Sequence, residues 1–347
     1  MTTTRQTVPE SGNPSQCLPT GFDPGNGSAK LRIDGAEIRI PSLIQPIHGD
    51  IYDVPQVKDG ALITYHSGTR KDLEKTSWLA GESAYSYNPI NCQKIVDDRA
   101  GKVNFGLQIL LGSIGCLSFR PKWNLGLVLS IQDAKVFGDE LAKSIAGHHV
   151  IGINNSSAVT HIDIDVLAVR EEGEGAIISA ASTAVINPKD QTILIDAGHG
   201  TLISSVFGTG GKLIKRTVTP GGVSALIDAI AQNIETRRQL KREGDRHLIR
   251  LAIENNSFQY GHTDWNFRGV YNTELKPWVV SNLASALKAV DEYRESSASI
   301  VAIGGGSMLP AISQLLAKQS IATLPDGCMA NVRGLERIAN IKLRRAA

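Results

Sequence analysis

Two short runs carry residue types suited to phosphate chemistry. Asp23-Pro24-Gly25-Asn26-Gly27 and Asp196-Ala197-Gly198-His199-Gly200 both read D-x-G-x-G, about half a chain length apart. Glycine permits positive φ and the close approach of a phosphate to the backbone, so amides of such a turn can point at an anion. An aspartate at the end of the preceding strand can order a magnesium ion through its waters, which makes Asp23 and Asp196 candidate metal-site residues. Lys30, three residues beyond Gly27, offers a point charge to β- and γ-phosphates. A single D-x-G-x-G run is an ordinary turn. Two copies at matched positions suggest two hairpins holding one polyphosphate.

Other nucleotide-binding turns fail on spacing. Around Gly211-Lys212 a P-loop would need a glycine where Val206 stands and a Ser or Thr where Leu213 stands. Gly25-Asn26-Gly27 runs on to Lys30 and into a hairpin, not a helix, which argues against a dinucleotide-binding turn.

The elements around the two runs repeat. Near the start, a strand precedes the glycine turn, Lys30–Ile33 forms the next, Asp34-Gly35 makes a tight hairpin, and Glu37–Ile40 follows. In the second copy the strand Thr192–Ile195 runs into Asp196 and its turn. Strand Thr201–Phe207, a Gly208–Gly211 turn and strand Lys212–Val218 then follow. Beyond each copy, helices and strands are mixed. The first half has helix Lys102–Ile114, strand Leu125–Ile131, helix Ala134–Ala146, alternation at Ile162, Ile164, Val166 and Ala168, and helix Ala176–Val185. The second half has a long helical stretch from Val223 to about Ile253, broken near Gly244, then helix Pro277–Tyr293, strand Ser299–Ile303 and helix Leu309–Lys318. This pattern predicts an α/β protein of two similar domains built on sheets, with a cleft between them.

A third glycine cluster, Gly304-Gly305-Gly306-Ser307, follows the Ser299–Ile303 strand and opens a helix at Leu309-Pro310, where proline suits the first turn. Its flat surface could accept an adenine or ribose; a plain strand-to-helix turn is the competing reading. Composition narrows the classes further. The 347 residues are 41% hydrophobic, enough for a core, and the formal net charge of +2 gives no electrostatic case for direct nucleic-acid or membrane binding. The most apolar stretch, Phe105–Leu117, is too short to span a bilayer, and the polar start of the chain lacks the apolar core of a signal peptide. Four scattered cysteines read as reduced thiols, and the expected location is the cytoplasm. The eight histidines show no zinc-ligand spacing. His148-His149 leads into a strand, and the basic run Arg237–Arg250 reads as a solvated helical face or, alternatively, an adenine or partner contact.

Together the three clusters resemble the actin-like ATPase superfamily. DPGNGSAKL resembles its first phosphate loop, with Lys30 at the lysine position of actin, and LIDAGHGT its second, with Asp196, Gly198 and Thr201 matching D-x-G-x-x-T. GGGSMLPAI resembles the adenosine motif through Gly304, Gly305, Met308 and Pro310. The ending MANVRGLERI and the segment WLAGESA (Trp78–Ala84) resemble bacterial ParM/StbA plasmid-segregation proteins. The resemblance runs from about residue 20 to 345 and implies a duplicated actin-like (ribonuclease H-like) two-domain α/β fold with a nucleotide cleft. Its expected divisions are a flexible tail 1–19, domain I at 20–190 with 331–347, and domain II at 191–330.

The function so implied is ATP binding with Mg2+, GTP being possible, and slow hydrolysis coupled to filament assembly. The partners would be further copies of the chain and a DNA-binding adaptor, with no direct nucleic-acid contact. Nucleotide-binding residues would be Asp23, Gly25, Asn26, Gly27 and Lys30, then Gly198, His199, Gly200 and Thr201, then Gly304, Gly305, Gly306 and Ser307. Phosphoryl transfer rests on positioning. The group that orients the attacking water falls at Glu172 by alignment, with Glu174 the alternative, and Glu172 and Asp196 are the candidate catalytic residues. His199 stands where actin has a second aspartate. Two other readings remain: a small-molecule, sugar-type kinase of the same fold, and a nucleotide-dependent cytoskeletal scaffold with negligible hydrolysis.

Overall fold

Strand β1, Leu18–Pro24, is followed by β2, Ser28–Ile33, and β3, Ala36–Pro41, as two antiparallel hairpins. The structure, a computed structural model, describes residues 17–51, 53–55, 57–95 and 100–346. Most of the tail expected at 1–19 therefore lies outside the described residues, and β1 already begins at Leu18. The chain divides into two compact units, residues 1–179 with 331–347 and residues 180–330.

In the first unit the remaining strands are β4 (Leu43–Ile47), β5 (Gly60–Gly68), β6 (Thr76–Gly81), β7 (Gln93–Lys94), β8 (Lys122–Ile131), β9 (Gly147–Ile153) and β10 (Val159–Glu171). They form one ten-stranded sheet in the order β3-β2-β1-β8-β10-β9-β5-β6-β4-β7. β8 lies parallel to both β1 and β10. Covered on both faces, it reads as a nearly unbroken apolar run, Leu125–Ile131, as central parallel strands do. The helices are α1 (Glu82–Tyr87), α2 (Gly101–Gly115), α3 (Ala134–Ile145) and α4 (Glu174–Ser182). The apolar stretch at Phe105–Leu117 proves to be the core helix α2. Its Leu107, Ile109, Leu110 and Leu111 are fully buried, and Gly112 and Gly115 let it settle onto Ala80 and Ala61 of the sheet.

The second unit holds β11 (Thr192–Ala197), β12 (Thr201–Phe207), β13 (Leu213–Pro220), β14 (Ser299–Ile303) and β15 (Ala322–Thr323), in the order β13-β12-β11-β14-β15. β11 pairs antiparallel with β12 and β12 with β13, while β14 lies parallel to β11 and to β15. The block β3-β2-β1-β8-β10 has this same order and polarity, so the duplication read from the turns is a duplication of topology. The five additional antiparallel strands of the first unit break the symmetry. Of these, only β9 was signalled by the sequence, through His148-His149.

The helices of the second unit depart from expectation in two places. The stretch from Val223 is three helices, α5 (Val223–Gln232), α6 (Ile234–Leu240) and α7 (Arg246–Glu254). Asn233 and Asp245 each turn a side-chain oxygen onto the amides of a new first turn, which starts a helix where propensity alone would continue one. The basic run Arg237–Arg250 is therefore split between α6, a loop and α7 rather than forming a single helical face. Pro277 does not open a helix; it lies inside α8, Arg268–Trp278. A proline there removes one amide from the ladder, and the helix passes into a π-helical turn, Val279–Leu283, before α9, Ala284–Lys288. Helix α10, Pro310–Lys318, follows the third glycine cluster. The last helix, α11 (Ala330–Ala346), returns to the first unit and packs Leu335, Ile338 and Ala339 against Val128 of β8.

Candidate functional site

In the first unit the site grows from the end of β1. Asp23 is 7% exposed, and its Oδ2 lies 3.2 Å from the Lys30 ammonium across the hairpin. The Ser130 hydroxyl of β8 donates to its Oδ1 at 3.1 Å. Burial alone would push the Asp23 carboxyl up. The Lys30 and Lys102 charges and the hydrogen bonds from Lys30 and Ser130 more than offset it, so the pKa falls below the ordinary aspartate value. The turn itself is held by the Ser42 hydroxyl, which donates to the Gly25 carbonyl at 2.5 Å.

The glycines are needed here for space. Neither Gly25 nor Gly27 has positive φ, and a Cβ at Gly25 would come within 2.7 Å of both Lys30 Nζ and the Ser28 carbonyl. The positive-φ argument drawn from sequence thus fails for this turn, and close approach carries it.

The three glutamates at and just beyond the end of β10 separate cleanly. Glu171 caps α3, its Oε1 accepting from the Ala134 amide at 2.7 Å. Glu174 begins α4 and sits 3.7 Å from Arg170. Glu172, followed by Gly173 at φ +89, turns back to an ion pair with Lys102 at the start of α2. Lys102 also acts electrostatically on Asp23, so Asp23, Lys30 and Glu172 belong to one charge cluster.

In the second unit, Asp196 is the penultimate residue of β11 and the loop Gly198-His199-Gly200 leads to Thr201. This loop is pinned by the start of α5. The amides of Gly222, Val223 and Ser224 donate to the carbonyls of Gly200, Gly198 and His199 at 3.1, 3.1 and 2.7 Å. A Cβ at Gly222 would meet the Gly198 and His199 carbonyls at 2.6 Å, so only glycine fits beneath the loop. The third cluster comes to the same place. Gly304, at φ +84, lies so close that a Cβ would be 2.5 Å from Asp196 Oδ1, and one at Gly306 would meet the Ala197 carbonyl at 2.9 Å. Ser307 is buried, with its hydroxyl donating to the Gly304 carbonyl at 2.9 Å, which fixes the turn. Gly305 is exposed, and a Cβ there would meet nothing within 4 Å.

Asp23, Gly25–Gly27, Lys30 and Glu172 thus gather in one unit. Asp196, Gly198–Thr201 and Gly304–Ser307 gather in the other. Sequence reasoning missed Lys102 and Ser130, which lie in no motif, and the amides of Gly222–Ser224. Asn331 lay in the MANVRGLERI ending but had no assigned role. Among the described residues no three His, Cys, Asp or Glu side chains converge as a metal cage.

A five-stranded β-sheet block built twice, each copy with an aspartate and a glycine turn after its first strand, defines an actin-like fold. Solved ParM and actin-homologue structures share this fold. The chain matches a subunit of a 15-stranded ParM filament from Clostridium botulinum at 13% identity and TM-score 0.71, over 94% of this chain and 99% of that one. It matches Ta0583, an archaeal actin homologue, at 15% and 0.70, over 93% and 99%. A Bacillus thuringiensis ParM hybrid protein with ADP matches at 17% and 0.68, over 96% of this chain and 49% of that one. No protein-family model and no curated protein matches the sequence. At these identities the fold is what the chains share.

Proposed function

We propose that this chain binds ATP with Mg2+, hydrolyses it slowly and assembles with further copies of itself into filaments that serve plasmid segregation through a DNA-binding adaptor. The observation that carries this reading is the charge cluster at the first glycine turn. An acceptor-only carboxylate, two lysines and a second, mostly buried carboxylate meet there, charges suited to binding and hydrolysing a metal-bound polyphosphate. The residues fit the ligand: Asp23 and Asp196 are oxygen donors suited to the waters of Mg2+, and Gly305 leaves room for a nucleoside. Bound magnesium would neutralise phosphate charge. Lys30 contributes cationic charge to the phosphates, and Glu172 orients the attacking water once ATP's own charge competes for Lys102. The ADP in the Bacillus thuringiensis hybrid and the filament of the Clostridium botulinum relative support the same reading.

The test is electron microscopy and pelleting of the purified protein with ATP, with ADP and without nucleotide, alongside phosphate release. Filaments that depend on the nucleotide are expected. No assembly in any nucleotide or salt condition would remove the filament reading, and sugar-stimulated turnover without assembly would point to the kinase.

A further inference from the structure

Asn331 opens the last helix at the residue where the chain returns to the first unit, and it is 6% exposed. Its Nδ2 lies 3.0 Å from Ser130 Oγ, and Ser130 Oγ lies 3.1 Å from Asp23 Oδ1. The direction of this relay follows from chemistry. An ionised Asp23 can only accept, so Ser130 must donate to it, and the lone pair of Ser130 must take its hydrogen from the Asn331 amide. A rotated amide would offer Ser130 an acceptor that competes with Asp23. The amide oxygen, Oδ1, is buried without a hydrogen-bond partner and faces Gly175, so the side chain is oriented at the expense of half its own hydrogen bonding. The donor is the part that is used.

We infer that Asn331 and Ser130 are positioning residues for Asp23: the relay fixes the Asp23 carboxylate in the one orientation from which it can order magnesium at the first phosphate turn. This rests on the nucleotide-binding reading. Lys30 takes the other oxygen, Oδ2, so the two oxygens of Asp23 are held by different partners and the carboxylate cannot spin. Asn331 touches neither the glycine turn nor Glu172 by any hydrogen bond of its own. Its effect on nucleotide must therefore pass through Ser130.

The experiment is calorimetric titration of ATP, with and without Mg2+, into the wild-type chain, Ser130→Ala, Asn331→Ala and the double variant. Each single variant is expected to lose about tenfold in the magnesium-dependent part of the affinity, as for one hydrogen bond to a charged group, while the magnesium-free affinity stays unchanged. The double variant is expected to match the singles, because both changes cut one chain of bonds. Equal losses with and without magnesium, additive losses, or an unchanged magnesium dependence in Asn331→Ala would each overturn the inference. If Asn331→Ala does not fold, the uncharged, similarly sized Asn331→Leu, which also removes the donor, carries the same test and the same expectation. A wild-type chain that binds no nucleotide would instead remove the reading on which the inference rests.

Discussion

At the scale of single residues, the run Arg170–Glu174 shows how neighbouring carboxylates take unlike roles. Glu171 accepts the Ala134 amide and is spent on starting α3, while Glu172 projects into the cluster with Lys102. Removing Glu171 should cost about 1 kcal/mol of stability, the worth of a helix cap, without changing phosphate release per folded molecule. Glu172→Ala should instead slow phosphate release by about 100-fold or more without weakening ATP affinity. Single-turnover phosphate assays and denaturant melts on both variants separate the two roles. Wild-type hydrolysis in Glu172→Ala would move the water-positioning role to Glu174.

At the scale of elements, the fold depends on helices that approach the sheets and each other without intervening side chains. Helix α11 lies against β1 where Gly21 has no side chain, and a Cβ at that position would be 2.4 Å from the Val332 carbonyl. The same helix meets the start of α4 glycine to glycine, and a Cβ on Gly334 would fall 1.8 Å from the Gly175 carbonyl. The arm of α11 is further fastened to the β2–β3 hairpin. Arg333 makes a bidentate pair with Glu37 at 2.6 and 2.8 Å, and Glu336 accepts from Arg32 and from the Gly35 amide, both at 2.6 Å. Gly334→Ala must push backbone from backbone and should destabilise the chain by about 2 kcal/mol or more. Gly269→Ala in α8, where a Cβ meets nothing within 4 Å, should be neutral or stabilise by up to about 1 kcal/mol. Thermal unfolding of the pair decides this, and equal melting temperatures would sink the close-approach argument.

At the scale of the whole molecule, stability should depend on pH through a group remote from the candidate site. His149 in β9 is fully buried, its Nε2 3.0 Å from the Ile145 carbonyl and its Nδ1 2.8 Å from the Tyr65 hydroxyl. Burial disfavours the charged ring and holds its pKa below the ordinary histidine value. The sign follows from linkage. As pH falls below about 6.5 the unfolded chain takes up the proton first, so stability is complete above that value and is lost towards the lower folded-state pKa. Asp23, also depressed, acts in a more acidic window: its contribution is present above about pH 3.9 and declines as the acid strengthens further. Denaturant melts across this range should show a loss of stability below about pH 6.5 that flattens in His149→Gln. An unchanged slope in that variant would assign the loss elsewhere.

The turns and their duplication were legible in the sequence because they are local. Asp-Gly at 34–35, the strand that runs into Asp196 and the glycine cluster that opens a helix at Pro310 each depend on residues a few positions apart. Even the end of α2, and the strand Thr201–Phe207, follow from short-range pattern. Tertiary structure alone decided which of three neighbouring glutamates faces the cluster, that α5 pins the second loop, and that four strands besides β9 extend the first sheet. It also decided the charge environment of Asp23. Lys102 meets Glu172 across 70 positions, Ser130 meets Asp23 across 107, and Asn331 meets Ser130 across 201. No periodicity encodes such pairings. They exist only once burial of the aliphatic core has brought β1, β8, α2 and α11 together, leaving the buried carboxylate to be satisfied by whatever polar groups that packing delivers.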